Sequence, residues 1–327
     1  MGPQQQQQQQ QPQPLVPLKT AILRIAINAA PEILDDLAFA FSRTLTRLCL
    51  SFELTPSQAS VSQGSDDSFI WKQSSMGDGQ PLEWTHLCVG QHWPSLPRLS
   101  HLQVVGHGQE QIWLLPGALS PALETVSVIE KQAIEGLEVT ADAEAVWITP
   151  AKLSRLKRLT LLGTPAVTFH PDTLSSTSEL EELVLGTRYR YMDLIEKMCY
   201  ETGLGDQVDV YWKHEKLWTR HAGWDWRLPQ LVHLELEGIF ASTFQFQWLD
   251  YCPVLKRLYL MTGQDSPRMI QKRDLERNGT LIISHRALEK FKVSGSISIQ
   301  DEALVLIREI LFPSLIDLDV PQTIKTV

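Results

Sequence analysis

Few residues in this chain stand at spacings that chemistry requires. His86, Cys88 and His101 are nitrogen and sulfur donors of the kind that hold zinc, and alternation along two strands would bring them to one face. No second cysteine follows at ligand spacing, so that set has no fourth member. His214-Glu215 with His221 shares residue types with the His-Glu-x-x-His metalloprotease helix. That motif needs both imidazoles on one helix face, and Trp218 stands where the second histidine belongs. Gly106-His107-Gly108 lacks the third glycine of a dinucleotide fingerprint, with Gln111 in its place. There is no Gly-x-Ser-x-Gly elbow and no Gly-Lys-Ser/Thr phosphate loop. Acidic residues are plentiful but form no recognisable catalytic pair. The expectation is a protein that is not an enzyme and takes no cofactor or metal.

What the chain does have is a repeated strand phrase that would hold side chains in rows. Leu228-Pro229-Gln230-Leu231 runs on through Leu234 and Leu236 to Gly238. Leu96-Pro97-Arg98-Leu99 opens the same phrase and runs to Gly106. Leu156, Leu159, Leu161 and Gly163 repeat its second half, as do Leu180, Leu183, Leu185 and Gly186, and Leu255, Leu258, Leu260 and Gly263. Further starts are Ile22, Leu45, Trp84, Leu123, Ile134, Leu288 and Leu315. Side chains alternate along a strand, so the paired apolar positions point one way, into a core. Leu99 to Leu123, Leu156 to Leu180 and Leu231 to Leu255 each span 24 residues. That falls within the ~20–29 residues of a strand-and-return repeat. Between the first two strands, Leu34, Leu37 and Phe41 share one helical face behind Pro31, which predicts a return helix.

Two punctuators keep register with the leucines. Pro97, Pro121, Pro229, Pro253 and Pro313 stand two residues before the first leucine, where they would set the turn into the strand. Gly106, Gly163, Gly238 and Gly295 stand seven residues after it, where a left-handed turn would end the strand. Trp84 to Leu99 and Leu123 to Ile134 are too short for a full unit, so one member of each pair is expected off the main sheet. Val208 and Val210 read as a degenerate strand.

The phrase and period resemble leucine-rich-repeat proteins of the ribonuclease-inhibitor-like superfamily, most closely the repeat regions of fungal F-box-type proteins. The resemblance covers roughly residues 20 to 327. It departs from the family at the ninth position, where Glu53, His107, Thr164, Arg188, Ile239 and Gly263 stand instead of asparagine or cysteine. It implies an α/β solenoid with a curved parallel sheet, helical or irregular returns and uneven repeats. Residues 1–14, glutamine- and proline-rich, read as a disordered tail. Residues 15–327 read as the repeat domain, with an inserted loop at 54–82 and an aromatic insertion at 187–228. The chain ends just after a strand phrase, Leu315 to Val320, so either its cap is poor or it is a fragment of a longer protein.

In such proteins function sits on the concave sheet, on the residues between the apolar positions. Here these include Arg47, His86, His101, Gln103, Arg158, Thr160, Glu182, His233, Glu235, Arg257 and Tyr259. The row continues with Lys290, Lys292, Asp317 and Asp319, and Val105, Ile129, Leu162 and Met261 lie just beyond it. Mixed charge on a partly apolar face suits a protein partner better than a phosphate backbone. Trp212, Trp218, Trp224 and Trp226 form an alternative binding ridge, or else pack over the convex side. The basic stretch Arg268 to Lys292 reads as a solvated return or as a patch for an acidic partner. The resemblance also implies a substrate receptor of a ubiquitin ligase, with a cullin-ligase adaptor as partner and the F-box missing or degenerate. Pro31-Glu32-Ile33-Leu34 resembles the opening of an F-box, but a strand phrase interrupts it. A stand-alone regulatory scaffold or sensor is the other reading.

Composition narrows the partner. A formal net charge of −9 argues against general nucleic-acid binding. Cys49, Cys88, Cys199 and Cys252 form no Cys-x-x-Cys pair, as expected of a reduced intracellular protein. No run of 18 apolar residues would span a membrane, and no secretory signal pattern opens the chain. Met1-Gly2 lacks the Ser or Thr that myristoylation needs at position 6, which is Gln6. The expected location is cytoplasmic or nuclear.

Overall fold

In the computed structural model, the residues described are 17–26, 30–53, 86–89, 96–106, 111–114, 118–131, 153–163, 165–166, 171–186, 227–262, 268–277, 280–282, 284–320 and 323–324. The tail, the loop at 54–82, Val208–Val210 and all four tryptophans of the expected ridge lie outside them.

The strands run in chain order as β1 (Thr20–Ala26), β2 (Arg47–Glu53), β3 (His86–Val89), β4 (His101–Gly106) and β5 (Gln111–Leu114). Next come β6 (Thr125–Glu130), β7 (Arg158–Leu162), β8 (Glu182–Gly186), β9 (His233–Glu237) and β10 (Arg257–Thr262). The last are β11 (Arg268–Ile270), β12 (Glu276–Arg277), β13 (Thr280–Leu281), β14 (Lys290–Gly295), β15 (Ile297–Gln300), β16 (Asp317–Asp319) and β17 (Thr323–Ile324). Ten of them form one sheet in the order β1-β2-β4-β6-β7-β8-β9-β10-β14-β16. Every junction in it is parallel. The protein is thus of mixed α/β type, with a large parallel sheet whose strands lie side by side in chain order.

The register follows the leucines. Leu48, Leu102, Val126, Leu159, Leu183, Leu234, Leu258 and Phe291 line up across the sheet. None of them is more than 3 % exposed. The second apolar position makes a parallel stack from Leu50 to Val293. Burying one such side chain contributes roughly 1.5–3 kcal/mol, so the two stacks are a dominant favourable contribution to folding. Behind β9, β10 and β14, Phe244, Phe246, Trp248, Phe291 and Phe312 pack edge to face.

The five prolines set the turns into β4, β6, β9, β10 and β16. The Leu99 N–H donates to the Leu96 carbonyl at 3.0 Å, and Leu123, Leu231, Leu255 and Leu315 bond in the same way to Ser120, Leu228, Cys252 and Phe312. Proline is the second residue of each turn, where its fixed φ fits and its missing N–H costs nothing. After the turn, one carbonyl accepts two N–H groups from the next strand. Thr46 O takes Ser100 and His101, and Ser100 O takes Glu124 and Thr125. The same double acceptance recurs at all nine junctions of the sheet.

Several expectations are corrected. Ile22 does not start a core row: β1 pairs so that Ala21, Leu23 and Ile25 oppose Leu48, Leu50 and Phe52, and Ile22 points out at 77 % exposure. Gly163, Gly238 and Gly295 have φ of 95°, 63° and 76°, as their strand-ending positions require. Gly106 does not have a positive φ; it is paired in the ladder between Phe52 and Glu130. The expectation that one phrase of the short-spaced Trp84–Leu99 pair lies off the main sheet holds: the first of them contains β3, which pairs with β5 in a separate two-stranded sheet. β3 follows β2 and β5 follows β4, so each is a second strand of an existing repeat, as are β11, β15 and β17 after β10, β14 and β16. Ile134 lies outside the described residues, and β6 pairs directly with β7, leaving no place for a strand between them.

The helix expected at Pro31 is α1 (Ala30–Phe41), set between β1 and β2. Two further short helices lie wholly among the described residues, α2 (Ile239–Thr243) and α3 (Asp301–Leu306). No helix among the described residues is long and apolar enough to cross a membrane.

The basic stretch is not simply solvated. Arg268 donates to the carbonyls of Ala241, at 2.6 Å, and Phe244, closing the end of α2, and burial holds its guanidinium below its usual pKa. Glu130, 1 % exposed, accepts the Ile112 N–H at 2.7 Å and ties β5 to the main sheet.

Candidate recognition face

Alternation leaves three rows of side chains on the sheet face opposite the core. The first row runs Thr20, Arg47, His101, Thr125, Arg158, Glu182, His233, Arg257, Lys290 and Asp317. In the same registers the second runs Ile22, Cys49, Gln103, Ser127, Thr160, Val184, Glu235, Tyr259, Lys292 and Asp319. The third carries Val105, Ile129, Leu162, Gly186, Glu237 and Met261. Ten of the eleven residues expected on the recognition face therefore stand in two adjoining rows.

His86 is the exception. It lies on β3, opposite Gln111 of β5 and outside the ten-stranded sheet. The short gap between Trp84 and Leu99 marked one of those two phrases as lying off the main sheet, and it is the phrase that carries His86, on the strand after β2. The sheet brings His101 beside Arg47 and Thr125 instead of His86 and Cys88. Among the described residues no three His, Cys, Asp or Glu side chains gather as a metal site.

Charge on the face is largely matched between neighbouring strands. Arg158 meets Glu182 at 4.0 Å, Lys290 meets Asp317 at 3.7 Å and Lys292 meets Asp319 at 3.1 Å. All are solvent-exposed, and such pairs contribute only about 0–1 kcal/mol each. They fix side-chain positions more than they stabilise the fold. Among the described residues Arg47 and Arg257 have no carboxylate at ion-pair distance.

The middle of the face is the most tightly built part. His233 is only 7 % exposed although Arg257 beside it is open. Its Nε2 lies 3.5 Å from Glu235 Oε2, and its ring meets Tyr259 edge-on at 5.1 Å. The hydrogen bond from His233 holds the Glu235 carboxyl below its usual pKa; burial opposes this, and the charges of His233 and Lys292 reinforce it. In the third row, Leu162 Cδ2 and the Glu237 carboxylate close over Gly186, filling the space a Cβ would need. Leu162 is 8 % exposed as a result of such packing. The sequence reading missed Glu237 and the notch at Gly186. A glycine aligned with outward side chains was the available signal, but its neighbours across the sheet became visible only with the register.

Comparison of the chain with protein-family models, with characterised proteins and with solved structures found no match.

Proposed function

We propose that the chain is a leucine-rich-repeat solenoid that recognises a protein partner on the outward, concave face of its sheet and carries out no catalysis of its own. The observation behind this is the registered display of two rows across ten strands and a shorter third row beside them, with a packed His233–Glu235–Tyr259 centre and an apolar line through Val105, Ile129 and Leu162. Interfaces combine such an apolar, aromatic middle with a charged rim, and tyrosine and arginine are frequent anchors. A nucleic-acid backbone would need a more uniformly basic face. The segment resembling the start of an F-box is used as the return helix α1, so the proposal does not depend on a cullin-ligase adaptor as the partner.

Affinity capture with mass spectrometry would identify the partner. Reversing charge at Arg158→Glu and Arg257→Glu is expected to lower capture at least tenfold with no fall in Tm, because both side chains are exposed. Unchanged capture by the doubly reversed protein would place the site elsewhere.

A further inference from the structure

Every carboxylate in the first two rows of the outward face is already engaged within the chain. Glu182 meets Arg158, Glu235 meets His233, Asp317 meets Lys290 and Asp319 meets Lys292. The charged side chains left over in those rows are both arginines, Arg47 on β2 and Arg257 on β10, and both are exposed. The surplus charge of the face is therefore positive, although the chain as a whole carries −9.

Arg257 stands between His233 and Lys290 across the sheet, and Tyr259 lies two residues on, on the same face. The tyrosine ring meets His233 edge-on, and its hydroxyl has no hydrogen-bond partner among the described residues. A carboxylate arriving here finds a guanidinium and a phenol as donors. Arg47 holds the same register position on β2, beside His101, six strands away in the sheet. At ~4.8 Å between strands, the two arginines are about 29 Å apart along the sheet. A small ligand cannot bridge that distance, whereas a protein surface can.

Covering the face with a partner treats these two arginines differently from the paired charges. Lys290 covered together with Asp317 keeps its counter-ion. Arg47 or Arg257 covered by apolar or basic groups becomes a desolvated, unpaired charge, which is costly. An acidic side chain removes that cost and can take the guanidinium through two parallel hydrogen bonds.

We infer, resting on the recognition face proposed above, that the partner presents two acidic side chains about 29 Å apart along the sheet, one to Arg47 and one to Arg257 with Tyr259.

The test is selection from random peptides of about 16 residues displayed on phage, with the full chain as bait. An extended segment needs about nine residues to reach from one arginine to the other. Enriched peptides are expected to carry Asp or Glu at two positions roughly that far apart. Arg47→Gln and Arg257→Gln should each weaken binding of the enriched peptide roughly tenfold or more, read by fluorescence anisotropy. Together they should weaken it about a hundredfold, since sites this far apart act independently. Both side chains are exposed, so Tm should not change. Enrichment of peptides without acidic residues, no enrichment at all, or binding indifferent to both arginine substitutions overturns the inference. Thr160→Trp, on β7 midway between the two arginines, tells apart the ways it could fail. If binding is lost through Thr160→Trp at unchanged Tm but not through either arginine, the face docks the peptide without these anchors. If Thr160→Trp is also without effect, the outward face is not the docking site.

Discussion

His233 stands edge-on to Tyr259 across the β9–β10 junction, with ring centroids 5.1 Å apart and planes at 84°. This contact joins two residues two positions out of line in adjacent strands, a diagonal that long and aromatic side chains can span. It holds the imidazole where its Nε2 lies 3.5 Å from Glu235. The centre of the outward face is thus a fixed arrangement, flanked on β10 and β14 by the exposed charges of Arg257, Lys290 and Lys292.

That arrangement gives Glu235 a signature in pH. Its carboxyl is held below the ordinary value of 4.5, chiefly by the His233 hydrogen bond. Near that value the unfolded chain binds more protons than the folded one, so stability rises with pH there. The contribution of Glu235 is complete above 4.5 and is lost as pH falls through the lower folded value. Glu235→Gln should therefore lower Tm at neutral pH, and its gap from wild type should narrow as pH falls below 4.5. A gap that stays constant would contradict the assignment.

Gly295 ends β14 with φ 76°, and a Cβ there would lie 1.7 Å from the Thr262 carbonyl oxygen. The left-handed backbone alone costs a larger residue about 1–2 kcal/mol, and the collision adds to that. Gly295→Ala should lower the urea midpoint accordingly. An unchanged midpoint would mean that β10 and β14 do not approach as described.

Burial pushes the Cys252 thiol up to about 12, whereas Cys49 is half-exposed on the outward face. The thiolate is the reactive form. Iodoacetamide at pH 8 should label Cys49 in the folded protein and reach Cys252 only after denaturation, as read by peptide mass spectrometry. Equal labelling of the two in the folded state would contradict the packing around Cys252.

The sequence carried the sheet because its punctuation is local. A proline two residues before a leucine sets a turn, and alternation then determines which side chains face out; both rules hold from Pro97 to Pro313. What was not legible depended on pairing between distant segments. Ile22, Leu23 and Ile25 all suit a core, and only the ladder against Leu48 and Leu50 chooses Ala21, Leu23 and Ile25. His86 sat in a strand phrase, but its short distance from Leu99 was the sign that it lies outside the main sheet. Tyr259 could be placed on the face from its position alone. Its ring contact with His233 required the register of β9 on β10.

The central claim is that the outward face is where a partner binds, and lysine footprinting tests it most directly. Lys290 and Lys292 lie on that face with side chains about half exposed, and Lys272 is equally open but off the main sheet. Acetylation rates would be compared in the free protein and in its complex with the captured partner. The account predicts at least severalfold protection of Lys290 and Lys292 with Lys272 unchanged. Protection of Lys272 with Lys290 and Lys292 as reactive as in the free protein would contradict it.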